Sequence, residues 1–244
     1  MLLIQIKFNT MMKTAIITGG TKGIGFGVAE AMIKNGIRVA ITGREQKTVD
    51  KAVAKLNLLK TDFAMGLVAD VRNMNSQIEL VKTVVEKWGN IDYFIANAGI
   101  GHFAPIQDLT EEDWKETIDT NLTGVFYGIK AVYSELKKSE GYFITISSLA
   151  GINFFAEGSA YNASKFGVVG FSQAIMLDLR KDKIKVTTIM PGSVATHFNN
   201  HEPNEKDAWK IQPEDIGQLV ISLINMAPRT LPSKIEVRPS QPQS

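Results

Sequence analysis

Seven short runs of apolar and β-branched residues recur along the chain, separated by longer segments with helical character. The runs are 14–18, 37–42, 63–69, 91–97, 141–147, 184–190 and, more weakly, 234–238. Most are almost continuously apolar, which is typical of parallel strands covered on both faces. The intervening segments favour helices at 23–35, 45–58, 74–88, 110–138 (with a break), 157–181 and 213–226. This alternation predicts an α/β fold, with one doubly wound parallel sheet flanked by helices.

Composition excludes several classes of protein. With 44% hydrophobic and 21% charged residues, the 244-residue chain is too apolar for a disordered or collagen-like protein. A net charge of +2 is too balanced to favour nucleic acid or a membrane surface as a partner. The absence of cysteine excludes disulfides, thiolate nucleophiles and cysteine-ligated metal sites, and it is compatible with a cytoplasmic location.

The chain is expected to form a single domain over residues 11–244. Residues 1–10 are short and apolar, no small-residue cleavage site follows them, and they are expected to be a non-functional N-terminal extension. No stretch reaches the ~18 apolar residues that a membrane span needs. The polar tract 197–212 follows a predicted strand end, where it is either a mobile loop over the substrate or a plain surface loop.

A glycine-rich turn follows the first predicted strand. It reads Thr18-Gly19-Gly20-Thr21-Lys22-Gly23-Ile24-Gly25 and leads directly into a helix. Glycines permit a tight turn and close backbone approach, and the helix N-terminus offers free N–H groups to a pyrophosphate. The spacing differs from the common G-x-G-x-x-G fingerprint. Because the turn occupies the first strand-to-helix junction, we expect it to bind a dinucleotide.

The residue at the end of the second predicted strand indicates which dinucleotide the chain binds. An acidic residue there would bind the ribose 2′-hydroxyl of NAD, whereas an arginine accommodates the 2′-phosphate of NADP. Arg44 occupies this position, and Lys22 in the glycine turn supplies a second cation. The pair favours NADP(H), the alternative being two ordinary solvated charges. Asp70, after the third strand, is either an adenine contact or a turn or helix-cap residue.

Two tyrosines precede a lysine by four residues, and only one pair has a context suited to catalysis. Tyr161 and Lys165 share one face of a predicted helix, so that the ammonium can lower the pKa of the phenol. Ser148 lies thirteen residues upstream, at the carboxyl end of the fifth strand. Tyr133 and Lys137 have the same spacing but lie within the 110–138 helical stretch. The first pair is therefore the candidate for proton transfer to a substrate.

A set of motifs follows in a recognisable order: Thr18-Gly19-x-x-x-Gly23-x-Gly25, Asn97-Ala98-Gly99, Asn121, Ser148, Tyr161-x-x-x-Lys165 and Pro191-Gly192. In this order they resemble the short-chain dehydrogenase/reductase family, over about residues 13–240. The resemblance implies a Rossmann-type sheet of seven parallel strands and a homodimer or homotetramer built on the long helices.

The resemblance also implies a role for each matching residue. Tyr161 would donate a proton to a carbonyl oxygen as hydride arrives from the nicotinamide, and Ser148 would orient that oxygen. Lys165 would lower the tyrosine pKa and hold the nicotinamide ribose. Asn121 would anchor a water that connects Lys165 to solvent. Thr196 would bind the carboxamide.

The expected sites follow from these arguments. The predicted catalytic residues are Asn121, Ser148, Tyr161 and Lys165. The predicted cofactor-binding residues are Gly19, Thr21, Lys22, Gly23, Ile24, Gly25, Arg44, Asp70, Val71, Asn97, Ala98, Gly99, Tyr161, Lys165, Pro191, Gly192, Val194 and Thr196. The predicted substrate contacts are Ser148, Tyr161, Phe154 and His197. No metal site is expected, because His197 and His201 lack further ligands with supporting spacing.

The predicted function is the NADPH-dependent reduction of a carbonyl compound to an alcohol. The C-terminal segment and Gly101-x-Phe103 resemble sepiapterin-reductase-type carbonyl reductases more than 3-oxoacyl-[acyl-carrier-protein] reductases. The motifs also resemble 3-oxoacyl-[acyl-carrier-protein] reductases, and an acyl carrier protein would suit a basic patch at Lys137, Lys138, Arg180, Lys181, Lys183 and Lys185. A non-catalytic NADP(H)-sensing regulator is the alternative from another class.

Overall fold

The structure, a computed structural model, describes residues 12–241. The predicted N-terminal extension, residues 1–10, lies outside these residues. Seven strands form one parallel sheet, and they are β1 (Thr14–Ile17), β2 (Arg38–Gly43), β3 (Ala64–Val68), β4 (Tyr93–Ala96), β5 (Tyr142–Ile146), β6 (Lys185–Pro191) and β7 (Lys234–Val237). All seven predicted runs form strands, which confirms the expected Rossmann-type α/β fold.

The strand order is β3-β2-β1-β4-β5-β6-β7, with every neighbouring pair parallel. The chain therefore runs outward from β1 to β3, then returns to the other side of β1 for β4. Connections leave in opposite directions from β1 and β4, which opens a crevice between them at the carboxyl ends of the strands.

Seven α-helices lie in the described part of the chain. They are α1 (Gly23–Lys34), α2 (Gln46–Leu59), α3 (Met74–Trp88), α4 (Glu111–Ile118), α5 (Gly124–Ser139), α6 (Ser159–Leu179) and α7 (Pro213–Ile224). Buried side chains of α1, α2 and α7 form the core on one face of the sheet. Those of α3, α5 and α6 form the core on the other face. Both faces are covered, which explains why the strands are almost continuously apolar.

The helical stretch 110–138 is broken, as its sequence predicts. Thr110 caps α4 by accepting a hydrogen bond from the backbone of Asp113, and a π-helical turn, Asp119–Thr123, separates α4 from α5. The break places Gly124 against the loop after β3, where an added Cβ would lie 2.9 Å from the Val71 side chain. Single π turns of this kind are frequent at functional sites.

No helix among residues 12–241 is long and apolar enough to cross a membrane. The tract 197–212 contains two short 3-10 turns, Phe198–Asn200 and Glu205–Asp207. A backbone bridge between Val194 and Ile211 joins the two ends of this tract. The loop is therefore anchored at its base beside the carboxyl end of β6.

Candidate active site

A cleft of about 1610 Å³ crosses the carboxyl edge of the sheet. It extends from the loop after β2, over the glycine turn, to the loops that follow β5, β6 and β7. This is the crevice that the strand order predicts, and it has room for an extended ligand. Of the predicted site residues, only Gly25 and Asn121 do not line its wall, and both support residues that do.

The glycine turn has a backbone shape that side chains would prevent. Gly19 and Gly23 have positive φ values of 63° and 57°. A Cβ on Gly25 would lie 2.5 Å from the Asn97 amide nitrogen and 2.6 Å from the Gly19 carbonyl oxygen. Asn97 in turn donates hydrogen bonds to the carbonyls of Thr18 and Gly19, at 2.9 and 3.0 Å. The turn is therefore held against the end of β4, with the N-terminus of α1 open to the cleft.

The segment after β6 closes the far side of the turn. A Cβ on Gly23 would lie 3.2 Å from the Thr196 methyl group, so Thr196 lies directly over the start of α1. The Gly192 amide donates to the Val237 carbonyl at 2.8 Å, which fixes the Pro191-Gly192 corner to β7. The structure thus brings the two ends of the predicted cofactor site together.

Two arginines and a glutamate meet at the end of the cleft beside β2 and β3. Arg44 lies 3.6 Å from the Glu116 carboxylate of α4, and Arg72 lies 3.2 Å from it. Lys22, in the glycine turn, also lines the cleft. Sequence reasoning found Lys22 and Arg44 but missed Arg72 and Glu116, because only the fold brings α4 next to the ends of β2 and β3.

Asp70 is held by its own loop. Its carboxylate accepts hydrogen bonds from the backbone and the guanidinium of Arg72, and this arginine keeps the pKa of Asp70 below its usual range. The N-cap of α3 is Asn73, whose side chain accepts from the Ser76 amide. Asp70 is therefore a loop residue on the cleft wall, not a helix cap.

Ser148 and Tyr161 meet in the middle of the cleft. Ser148 follows β5, and its hydroxyl accepts from the Ala150 amide at 3.1 Å and hydrogen-bonds to the Tyr161 hydroxyl. Burial raises the pKa of Tyr161, because an apolar environment disfavours the phenolate, while the Ser148 hydrogen bond acts in the opposite direction. Tyr161 is therefore protonated at neutral pH, the form required of a proton donor.

Lys165 is buried next to this pair. Its ammonium donates to the Ile146 carbonyl at 3.1 Å and lies 5.6 Å from the centre of the Tyr161 ring. Burial lowers the pKa of Lys165 to about 8. Burial and Ser148 are the causes of the Tyr161 shift, so the expected lowering of this pKa by Lys165 stays a prediction. Desolvation disfavours the charged form of both groups.

Asn121 lies in the π turn and is almost completely buried. Its side chain accepts from the Ile100 amide and donates to the Ile100 carbonyl, both at 2.8 Å, and donates to the Ser164 hydroxyl at 3.0 Å. The side chain thus clamps the loop after β4 to α6. The side chain therefore positions this loop, and the expected role of Asn121 in holding a water stays a prediction.

The second tyrosine–lysine pair lies elsewhere. The Tyr133 hydroxyl donates to Asp182 at 2.7 Å, and Lys137 lies 2.7 Å from the same carboxylate group. Asp182 precedes β6, at the amino edge of the sheet. This pair is therefore structural, as its sequence context indicates, and it provides a matched control for Tyr161.

Aromatic side chains surround Tyr161 on the substrate side of the cleft. Phe103 lies 5.4 Å from the Tyr161 ring and Phe198 lies 5.6 Å from it, between ring centres. Phe155 packs against Phe103, whereas Phe154 is 86% exposed at the mouth of the cleft. Phe154 is the substrate contact that the sequence predicts, but Phe103 and Phe198 are the phenylalanines beside Tyr161, and their loops meet only in the folded chain.

The histidines of the 197–212 loop bind carboxylates. His201 lies 2.6 Å from Asp207, and His197 lies 3.4 Å from Glu202 through Nε2, while the Nδ1 of His197 is buried without a partner. Among residues 12–241 no group of three or more histidine, aspartate or glutamate side chains is arranged to hold a metal ion.

Comparison with known families and structures agrees with this geometry. The sequence profile described as short chain dehydrogenase matches residues 13–207. The chain belongs to the short-chain dehydrogenase family. Like the family, this short-chain dehydrogenase combines the glycine turn with the serine, tyrosine and lysine of the cleft.

This short-chain dehydrogenase is similar over most of its length to one curated protein and to two solved structures. A sepiapterin reductase of Chlorobaculum tepidum is 29% identical over 94% of this chain and 97% of its own. An alcohol dehydrogenase of Thermococcus sibiricus, solved with 5-hydroxy-NADP, has a TM-score of 0.88 and 26% identity, covering 96% and 100%. A 3-ketoacyl-ACP reductase of Sinorhizobium meliloti has a TM-score of 0.83 and 29% identity, covering 92% and 97%. The short-chain dehydrogenase is thus an oxidoreductase.

Proposed function

We propose that the protein reduces a carbonyl compound to an alcohol with NADPH. The observation that carries this proposal is the placement of Ser148, Tyr161 and Lys165 in one cleft with the glycine turn and Arg44. The proposed proton donor and the residues proposed to bind the dinucleotide therefore face the same cleft. The neighbour that was solved with an NADP derivative supports the choice of cofactor.

The residues of the cleft fit NADP(H). The glycine turn leaves backbone N–H groups at the start of α1 free for the pyrophosphate, since Gly19 and Gly23 adopt positive φ and Gly25 has no room for a side chain. Arg44, with Lys22 and Arg72 beside it, would hold the 2′-phosphate. Thr196, Asn97 and Lys165 would contact the nicotinamide half.

NADPH would supply a hydride to the carbonyl carbon. Ser148 orients the carbonyl oxygen, and Tyr161 gives it a proton as negative charge develops there. The ammonium of Lys165 stabilises the phenolate that remains, because a positive charge 5.6 Å from the ring centre favours the charged form of the phenol. Asn121 keeps the loop that covers Lys165 in place through Ile100.

The test of this proposal is Tyr161→Phe, with Tyr133→Phe as its control. We expect Tyr161→Phe to lower kcat by about 10²- to 10⁴-fold, the usual contribution of a positioned acid, and to keep NADPH binding. Tyr133→Phe should keep both. Turnover of carbonyl substrates would be followed by NADPH oxidation and cofactor binding by calorimetry. Full activity of Tyr161→Phe contradicts the role of Tyr161 as proton donor. No turnover by the wild type, with NADPH still bound, favours the sensing regulator.

A second candidate substrate is a 3-oxoacyl thioester on an acyl carrier protein, which the Sinorhizobium meliloti neighbour favours. The basic patch does not support it. Lys137 pairs with Asp182 and Lys183 with Glu140, and both lie near the amino ends of β5 and β6, opposite the catalytic edge. The length of β6, about 20 Å, separates such a dock from Tyr161. Parallel assays with an acetoacetyl thioester decide this point.

We also propose a homodimer or homotetramer. The outer faces of the long helices α5 and α6 expose large apolar side chains, namely Phe126, Phe166 and Leu177. Exposed apolar groups on adjacent helices are typical of subunit interfaces. Sedimentation of the wild type and of Phe166→Glu tests this, and a monomeric wild type contradicts it.

A further inference from the structure

We propose that the substrates of this enzyme carry an aromatic ring next to the reacting carbonyl group and no negative charge. This inference rests on the proposed reduction and specifies its substrate class. It depends on two independent features of the cleft: an aromatic cluster around Tyr161, and the pairing of the cations on the same side.

The aromatic cluster consists of Phe103, Phe155, Phe198 and the ring of Tyr161. Phe103 meets Tyr161 at 65° and Phe198 at 69°, which are edge-to-face arrangements. These rings come from three separate loops and converge at the proton donor. Phe155 and Phe198 remain 49% and 37% exposed, so the cluster offers free ring surface beside the reacting position.

Two glycines leave room for this cluster. A Cβ on Gly101 would lie 2.7 Å from the Phe103 ring and 2.8 Å from the Phe198 ring. A Cβ on Gly158 would lie 2.5 Å from the Phe155 ring. Neither glycine has a positive φ, so backbone conformation does not require them. Gly101 lets the Phe103 and Phe198 rings approach one another, and Gly158 leaves room for the Phe155 ring.

An aromatic substituent would extend this arrangement. Edge-to-face pairs gain more than the burial of their apolar area, because the positive ring edge meets the negative ring face. A saturated ring of the same size has no such quadrupole. The cluster should therefore distinguish a phenyl ketone from its cyclohexyl analogue, although both fit the same space.

The charges on this side of the cleft favour a neutral substrate, because its lysine and arginine side chains other than Lys165 already have carboxylate partners. Besides Lys165, the lysine and arginine side chains that line it are Lys210 and Arg238, and the imidazoles of His197 and His201 line it too. Lys210 and His201 both lie 2.6 Å from Asp207, and they hold the pKa of that carboxyl well below its usual range. His197 faces Glu202, and Arg238 lies 2.8 Å from Glu236. A carboxylate or phosphate would have to displace one of these partners.

The experiment compares acetophenone, cyclohexyl methyl ketone and an acetoacetyl thioester in NADPH oxidation assays. We expect kcat/KM for acetophenone to exceed that for the cyclohexyl ketone by about tenfold, from one or two aromatic contacts. Phe103→Leu and Phe198→Leu should each lower this ratio by about 2- to 12-fold. Gly101→Ala should lower it as well, since the new methyl group displaces both rings.

Phe63→Leu is the matched control. Phe63 precedes β3 at the amino edge of the sheet, away from the cleft, and its replacement should leave the ratio unchanged. A ratio near one in the wild type, or a ratio that the cluster variants do not change, overturns the inference. A higher kcat/KM for the thioester than for acetophenone also overturns it.

A binding measurement separates this inference from the proposed reaction. Tyr161→Phe keeps the aromatic ring but removes the proton donor, and its complex with NADP⁺, which holds no hydride to transfer, can be titrated with either ketone without turnover. Tighter binding of acetophenone, weakened by Phe198→Leu, supports the inference even if no carbonyl is reduced by the wild type. Equal binding of the two ketones contradicts it.

Discussion

The Glu116 carboxylate lies 3.6 Å from the guanidinium of Arg44, the group that we propose binds the 2′-phosphate of NADPH. A bound phosphate would share this cation with the carboxylate. We expect Glu116→Gln to bind NADPH about 2- to 5-fold more tightly, the size of a partly exposed charge interaction, with NADH affinity unchanged. High salt should reduce the difference. Fluorescence titration with both cofactors measures it.

Glu111→Gln is the control for this variant. Glu111 lies on the same helix and pairs with Lys115, outside the cleft lining. It should not alter the affinity for either cofactor. If Glu116→Gln weakens NADPH binding, the carboxylate acts mainly by holding Arg44 in place. The hypothesis that Glu116 competes with the 2′-phosphate for Arg44 is then wrong.

Arg44→Gln tests the cofactor preference directly. Removing a charge-assisted hydrogen bond to the phosphate should weaken NADPH binding about 10- to 100-fold and leave NADH binding nearly unchanged. Calorimetric titration of both cofactors gives the two affinities. Equal weakening of both would show that Arg44 does not contact the 2′-phosphate.

Lys165 makes stability depend on pH. Its pKa is lowered from 10.5 to about 8 in the folded chain, so the unfolded chain binds more protons between these values. Stability should therefore rise with pH across this window, by about 3 kcal/mol relative to Lys165→Met. Urea unfolding of both proteins without cofactor, at neutral and alkaline pH, measures this gain. Parallel pH profiles would show that the folded-state pKa is ordinary.

The side chains of Asn121 and Asn57 each hydrogen-bond to the backbone N–H and C=O of a single residue, so their alanine variants can be compared directly. Asn121 pairs with both backbone groups of Ile100, and Asn57 pairs with both of Ala64. Replacing either by alanine should cost about 1–3 kcal/mol of unfolding free energy, since a buried donor and acceptor lose their partners. Only Asn121→Ala should lower kcat. Equal activity of the two variants would show that the loop after β4 does not need the clamp.

Local sequence was sufficient for the strands and for the glycine turn. Ile16 and Ile41 lie in strongly apolar runs, because helices cover both faces of the sheet and bury these side chains. The same pattern repeats along the chain. Gly19 and Gly23 stand at a strand-to-helix junction that is visible in the sequence and adopt the positive φ that glycine tolerates. The sequence also distinguishes Tyr161 from Tyr133, because Ser148 lies upstream of Tyr161 at the end of the fifth predicted strand.

The tertiary structure decided what no local pattern contains. Glu116 approaches Arg44 across 72 positions, and Phe103 meets Phe198 across 95, because loops distant in sequence converge where parallel strands end. Burial also shifts the pKa values at the centre, raising that of Tyr161 and lowering that of Lys165. Spacing along a helix places two side chains on one face, but desolvation depends on everything packed around them.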